Sequence, residues 1–160
     1  MYAIHTILVP TDFSPRSESA LRLASAIARD YGARLILLHV LETYPAFYGD
    51  GAMVLPPLAE DSEQARSLLD KLPVPAHILA ERQVREGDAA IQILEAIGEF
   101  HADLIVMGTH GRTGLGRLLV GSVAENVMRK ATCPVLTVRT PGPEAEATKV
   151  ERELGAPASA

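Results

Sequence analysis

Three uninterrupted apolar runs recur along this chain with helix-like segments between them: Ile7-Leu8-Val9, Leu35-Ile36-Leu37-Leu38 and Leu104-Ile105-Val106-Met107. A strand with one face in water alternates apolar and polar residues. A run without alternation must be covered on both faces, as strands are in parallel sheets flanked by helices. The runs are short and bounded by breakers. The first lies in a strand over Ile4–Val9 stopped by Pro10, and the second ends near Val40.

The intervening segments carry helix punctuation. Ser14-Pro15 offers a capping hydroxyl followed by a proline in the first turn, where its missing N–H costs nothing. Ala20, Leu23, Ala24 and Ile27 then repeat at helical spacing up to about Tyr31, and Gly32 suits a left-handed C-terminal position. Ala65, Leu68, Leu69 and Leu72 mark a second helix, ended by Pro73 and Pro75, and Ala76–Val84 follows as a polar-rich edge strand. Asp88 caps a third helix bearing Ala90, Ile93, Ile97 and Phe100, and a fourth runs from Ser122 to about Lys130 before a last strand, Pro134–Val138. Five strands alternating with four helices predict an α/β fold with a doubly wound parallel sheet, whose ligands bind at the carboxyl ends of the strands. Thr43–Leu58, with Pro45, Gly49, Gly51, Pro56 and Pro57, is expected to be a long mobile loop.

The chain has 160 residues, enough for one domain at roughly 100–200 residues each. That domain is expected over 1–140, with 141–160 as a flexible, Glu-rich and Pro-containing tail. The net charge of −5 disfavours broad contact with nucleic acid or anionic lipid, so an anionic ligand has to be held locally. The single cysteine, Cys133, excludes an internal disulfide and a CxxC pair. No apolar stretch approaches the ~18–20 residues of a membrane span, and the start of the chain does not read as a signal peptide, so a cytoplasmic location is expected.

The chemistry concentrates in residues 108–121, which hold Gly108, Gly111, Gly114, Gly116 and Gly121 between a core strand and a helix. Glycines let successive backbone N–H groups approach an anion, and Gly121-Ser122 opens a helix whose free N–H groups and dipole favour phosphate. Arg112 and Arg117 can add charge, and His110 can reach a phosphate or a Mg²⁺-bound water. Asp12, at the end of strand one, is a carboxylate suited to a ribose diol, and capping the next helix is its bland alternative. The GxGxxG and GxxxxGK[ST] signatures of dinucleotide folds and P-loop NTPases are absent. His5, His39, His77 and His101 are scattered and read as structural.

Gly108, Gly111, Gly121 and Ser122 fit the pattern G-x2-G-x9-G-[ST], with residues 112–120 as the nine intervening positions. Together with Val9-Pro10-Thr11-Asp12-Phe13-Ser14, His39-Val40 and Cys133-Pro134-Val135-Leu136, this resembles the ATP-binding branch of the universal stress protein family over about Ile4–Val138. The resemblance implies a flavodoxin-like sheet of order 3-2-1-4-5, a homodimer, and ATP at the ends of strands one and four. It implies that Pro10 and Thr11 line the adenosine, that Asp12 accepts from ribose hydroxyls, and that Val40 meets adenine through its backbone. Met107 and Gly108 would flank the ribose and phosphates, and Gly111, Gly121, Ser122 and Val123 would hold the phosphate chain. A dimer through Val135, Leu136, Thr137 and Val138 has a physical reason of its own, because pairing covers an apolar edge strand. The expected function is a stress-response or signalling module with slow or no hydrolysis and an unidentified protein partner. The alternatives are a weak ATP hydrolase or nucleotidyl-transfer enzyme, and a nucleotide-free dimeric interaction protein.

Overall fold

The computed structural model describes residues 3–43, 45–48, 51–54, 59–109 and 121–139. In chain order the elements are β1 (Thr6–Pro10), α1 (Pro15–Tyr31), β2 (Arg34–Leu41), β3 (Pro45–Tyr48), β4 (Gly51–Val54), α2 (Ala59–Asp70), β5 (Ala80–Glu86), α3 (Ala89–Phe100), β6 (Leu104–Gly108), α4 (Ser122–Lys130) and β7 (Val135–Val138). Five strands form one sheet in the order β5-β2-β1-β6-β7, every neighbouring pair parallel. Counted without β3 and β4, this is the expected order 3-2-1-4-5.

The two faces of the sheet explain why the runs have no polar members. Ile7 and Val9 of β1, Leu35 and Leu37 of β2, and Leu104 and Val106 of β6 pack with Ala20, Leu21, Ala24 and Ala28 of α1 and Leu69 of α2. The residues between them, Leu8, Ile36, Leu38, Ile105 and Met107, pack with Ile93, Ala96 and Ile97 of α3 and Ala124 and Val127 of α4. Successive strand side chains point to opposite faces, and both faces are covered, so every position must be apolar. Fully burying a Leu or Ile side chain contributes roughly 1.5–3 kcal/mol, which makes this double core the main source of stability.

Helix ends follow local chemistry. Ser14 caps α1, its hydroxyl accepting from Ser17 N at 3.3 Å, with Pro15 in the first turn. Gly32 ends the helix at φ 68°, a left-handed conformation that side chains with a Cβ disfavour. Asp88 caps α3 by accepting from Ile91 N at 2.9 Å.

Two expectations are corrected. The 43–58 segment is not structureless, because β3 and β4 pair antiparallel as a separate two-stranded sheet, Pro45 opposite Val54 and Tyr48 opposite Gly51. Gly49-Asp50 between two short apolar and aromatic runs is a two-residue hairpin signal that the surrounding prolines obscured, and Pro45 is tolerated as a first strand residue. The edge strand begins at Ala80 rather than Ala76, because Ile78 N donates to Pro75 O at 2.9 Å and keeps that stretch turning. The 141–160 tail lies outside the described residues.

Candidate functional site

At the carboxyl end of the sheet the central strand β1 hands over to α1, while its neighbours β2 and β6 diverge to opposite sides. This is the switch point at which open α/β sheets form a crevice. Pro10 closes β1, buried and aligned with Leu38 of β2. The turn beyond it is built from a compact polar network. Thr11 N donates to Leu38 O at 2.9 Å, Thr11 Oγ1 donates to Ser17 Oγ at 3.1 Å, and Phe13 N donates to Thr11 Oγ1 at 3.1 Å. Ser17 Oγ in turn donates to Ser14 O at 2.9 Å. Thr11 and Ser17 are both buried, and this mutual satisfaction is what makes their burial tolerable.

Asp12 divides its carboxylate between two roles. Oδ1 accepts from Ser14 N at 3.0 Å, shaping the turn into α1, whereas Oδ2 is buried with no hydrogen-bond partner among the described residues. The capping alternative therefore accounts for one oxygen only, since Ser14 itself caps the helix. An unpaired buried acceptor carries a desolvation cost of about 1–3 kcal/mol, more when charged, and is satisfied when a donor is brought to it.

Across the crevice, Met107 is buried in the core beneath α3 and α4, and Val40 and Val123 pack partly buried against the same cluster. Gly108 approaches the first turn of α1 so closely that a Cβ there would lie 3.3 Å from Arg16 Cβ and 3.4 Å from its carbonyl carbon. Thr109, almost completely buried, receives Gly121 N at 2.7 Å on its carbonyl oxygen and donates its own N–H to Val138 O at 3.3 Å. α4 therefore starts beside the end of β6. Its N-cap, Gly121, has no side chain to occupy the free N–H groups, and Ser122 at the first helical position is exposed. His110, Gly111 and Arg112 lie outside the described residues. No group of three or more His, Cys, Asp or Glu side chains that can hold a metal ion occurs among the described residues.

His39, read from the sequence as structural, is hydrogen-bonded and packed at this turn. Its Nδ1 lies 2.8 Å from the carbonyl oxygen of Thr11, and its ring sits 4.4 Å from that of Phe13, tilted by 36°. Phe13 holds φ 61°, a left-handed conformation uncommon for a bulky residue. The nearest sequence signal was the adjacency of His39 to Val40, because the register that brings β2 against the turn is not written in either segment alone.

The fold defines an open, doubly wound α/β domain with a topological switch point at the carboxyl end of its sheet. The family model described as the universal stress protein family matches residues 3–139. A universal stress protein of Thermus aquaticus is 39% identical over 137 residues, covering 84% of this chain and 98% of its own. One from Methanocaldococcus jannaschii is 36% identical over 142 residues, covering 86% and 84%. A universal stress protein solved in complex with cAMP is 25% identical, with a TM-score of 0.64 over 87% of this chain and 99% of that one. The chain belongs to the universal stress protein family.

Proposed function

We propose that this protein is an ATP-binding stress-response module with slow or no hydrolysis. The observation that carries the reading is the buried Oδ2 of Asp12 at the end of β1, which has no hydrogen-bond partner among the described residues. An acceptor in that position fits a ligand bearing hydroxyl or amino donors, which the adenosine part of a nucleotide supplies, and a charged acceptor strengthens such a bond to roughly 1.5–3 kcal/mol. The N-terminus of α4, with no side-chain cap among the described residues, fits the other end of the same molecule, since N–H groups at a helix start and the helix dipole favour phosphate oxygens. The relative in complex with cAMP supports an adenine nucleotide as the ligand class.

In this reading Pro10 and Thr11 line the adenosine, Asp12 accepts from its donors, and Val40 meets adenine through its backbone. Met107 and Gly108 flank the ribose. Gly121, Ser122 and Val123 hold phosphates together with His110, Gly111 and Arg112, and any Mg²⁺ arrives on the nucleotide. Bound ATP biases the conformation recognised by a protein partner. The protein acts in the cytoplasm as a homodimer through Val135–Val138, a strand hydrogen-bonded within this chain to β6 on one side. Among the described residues no helix is long and apolar enough to cross a membrane.

The test is to denature freshly purified protein and chromatograph the released small molecules. ATP is expected. ADP in its place would favour the hydrolase reading, and no nucleotide, with no binding of added Mg-ATP, would overturn the proposal in favour of a nucleotide-free interaction protein.

A further inference from the structure

We propose that His39 is a positioning residue for the ligand-facing carboxylate of Asp12. The inference rests on the nucleotide-binding reading and goes beyond the residues that reading uses. A carbonyl oxygen only accepts, so the 2.8 Å contact between His39 Nδ1 and Thr11 O requires a proton on Nδ1. The carbonyl concerned belongs to the peptide that joins Thr11 to Asp12. Fixing it fixes the plane from which the Asp12 backbone departs.

The hold is applied at two points from one strand. Leu38 O accepts from Thr11 N at 2.9 Å while the next residue, His39, donates to Thr11 O. Both polar groups of the Thr11 backbone are thereby tied to consecutive residues of β2. The His39 ring also backs the Phe13 ring at 4.4 Å, supporting a residue at φ 61° on the far side of Asp12. Asp12 lies between two residues that the same imidazole touches. Its Oδ1 is committed to Ser14 N, and the direction of Oδ2, which has no partner among the described residues, then follows from the backbone that His39 steadies.

The experiment compares His39→Phe, which keeps a ring against Phe13 but has no donor, with His39→Asn, whose amide nitrogen reaches about where Nδ1 does, in the full chain. Mg-ATP affinity is measured by calorimetry, and ¹⁵N NMR of the ligand-free wild type reads the imidazole tautomer. Expected are a proton on Nδ1, an affinity loss of about three- to tenfold for His39→Phe, and recovery of most of it in His39→Asn. In an Asp12→Ala background, His39→Phe is expected to change affinity by less than about twofold, because the group being positioned is gone. Unchanged affinity in His39→Phe, an equal loss in both backgrounds, or a ring with no proton on Nδ1 would overturn the inference while leaving nucleotide binding standing. A wild type that binds no Mg-ATP would overturn both.

Discussion

Gly108 and Arg16 meet where the end of β6 crosses the first turn of α1, with room between them for a hydrogen but not comfortably for a methyl group, since a Cβ would stand 3.3 Å from Arg16 Cβ. The glycine is required by proximity to a neighbouring helix, and this closeness fixes how the end of β6 seats against α1. Gly108→Val is expected to push the two elements apart and cost about 1–3 kcal/mol of stability, the range for overpacking a tight site. Denaturant unfolding measures this, and a midpoint equal to wild type would show that Arg16 yields freely.

Asp12→Asn keeps an oxygen for Ser14 N and removes the charge from the buried Oδ2. The fold is expected to hold its melting temperature or gain slightly, because a buried acceptor with no partner among the described residues is a liability when charged. Affinity for ATP is expected to fall by about 1–3 kcal/mol. Calorimetry on both proteins checks the pair of effects, and an unchanged affinity would reduce Asp12 to a turn residue.

Leu136 is 37% exposed on β7, the strand at one edge of the sheet. A lysine there is expected to charge that edge and convert the proposed dimer into monomers, leaving the helix content seen by circular dichroism intact. Light scattering after gel filtration reads the mass directly. A dimer that survives Leu136→Lys would move the interface elsewhere.

Burial pushes the Cys133 thiol above its ordinary pKa, and the charge of Asp103 adds to the rise, while a backbone hydrogen bond opposes both. Only the thiolate is alkylated, so iodoacetamide is expected to react slowly near neutral pH and faster as pH rises through the elevated pKa. The linked stability has the same sign. It is fully present below the unfolded-state pKa and is lost as pH rises towards the folded one, because the unfolded chain releases its proton first. Mass spectrometry of timed alkylation in native buffer and in denaturant measures the difference, and equal rates would contradict it.

What could be read in the chain was what neighbouring residues decide. Ser14, Pro15 and Gly32 bound α1 through contacts within a turn of themselves, and the unbroken runs of β1, β2 and β6 declare two covered faces. The β3–β4 hairpin was hidden because the prolines at 45, 56 and 57 outweighed Gly49-Asp50 in a local reading. At the site, a carboxylate after β1 was visible as a candidate, but its partition into one committed and one free oxygen was not, since that depends on Ser14 N and on packing. The bond from His39 to Thr11 was invisible for a different reason. It arises from parallel register across 28 positions, which no motif in either strand encodes.

The hydrogen bond from Gly121 N to Thr109 O closes, at 2.7 Å, the stretch that the glycine pattern occupies. Entry and exit of residues 110–120 are thus a single point on the scaffold, held by Val138 on one side and by the start of α4 on the other. Chain joined at such a point can change in length at little cost to the scaffold. Doubling the length of the chain joined there would cost only about 0.6 kcal/mol of closure entropy. Variation in chain length between Thr109 and Gly121 is therefore the kind of change this scaffold absorbs without altering its sheet.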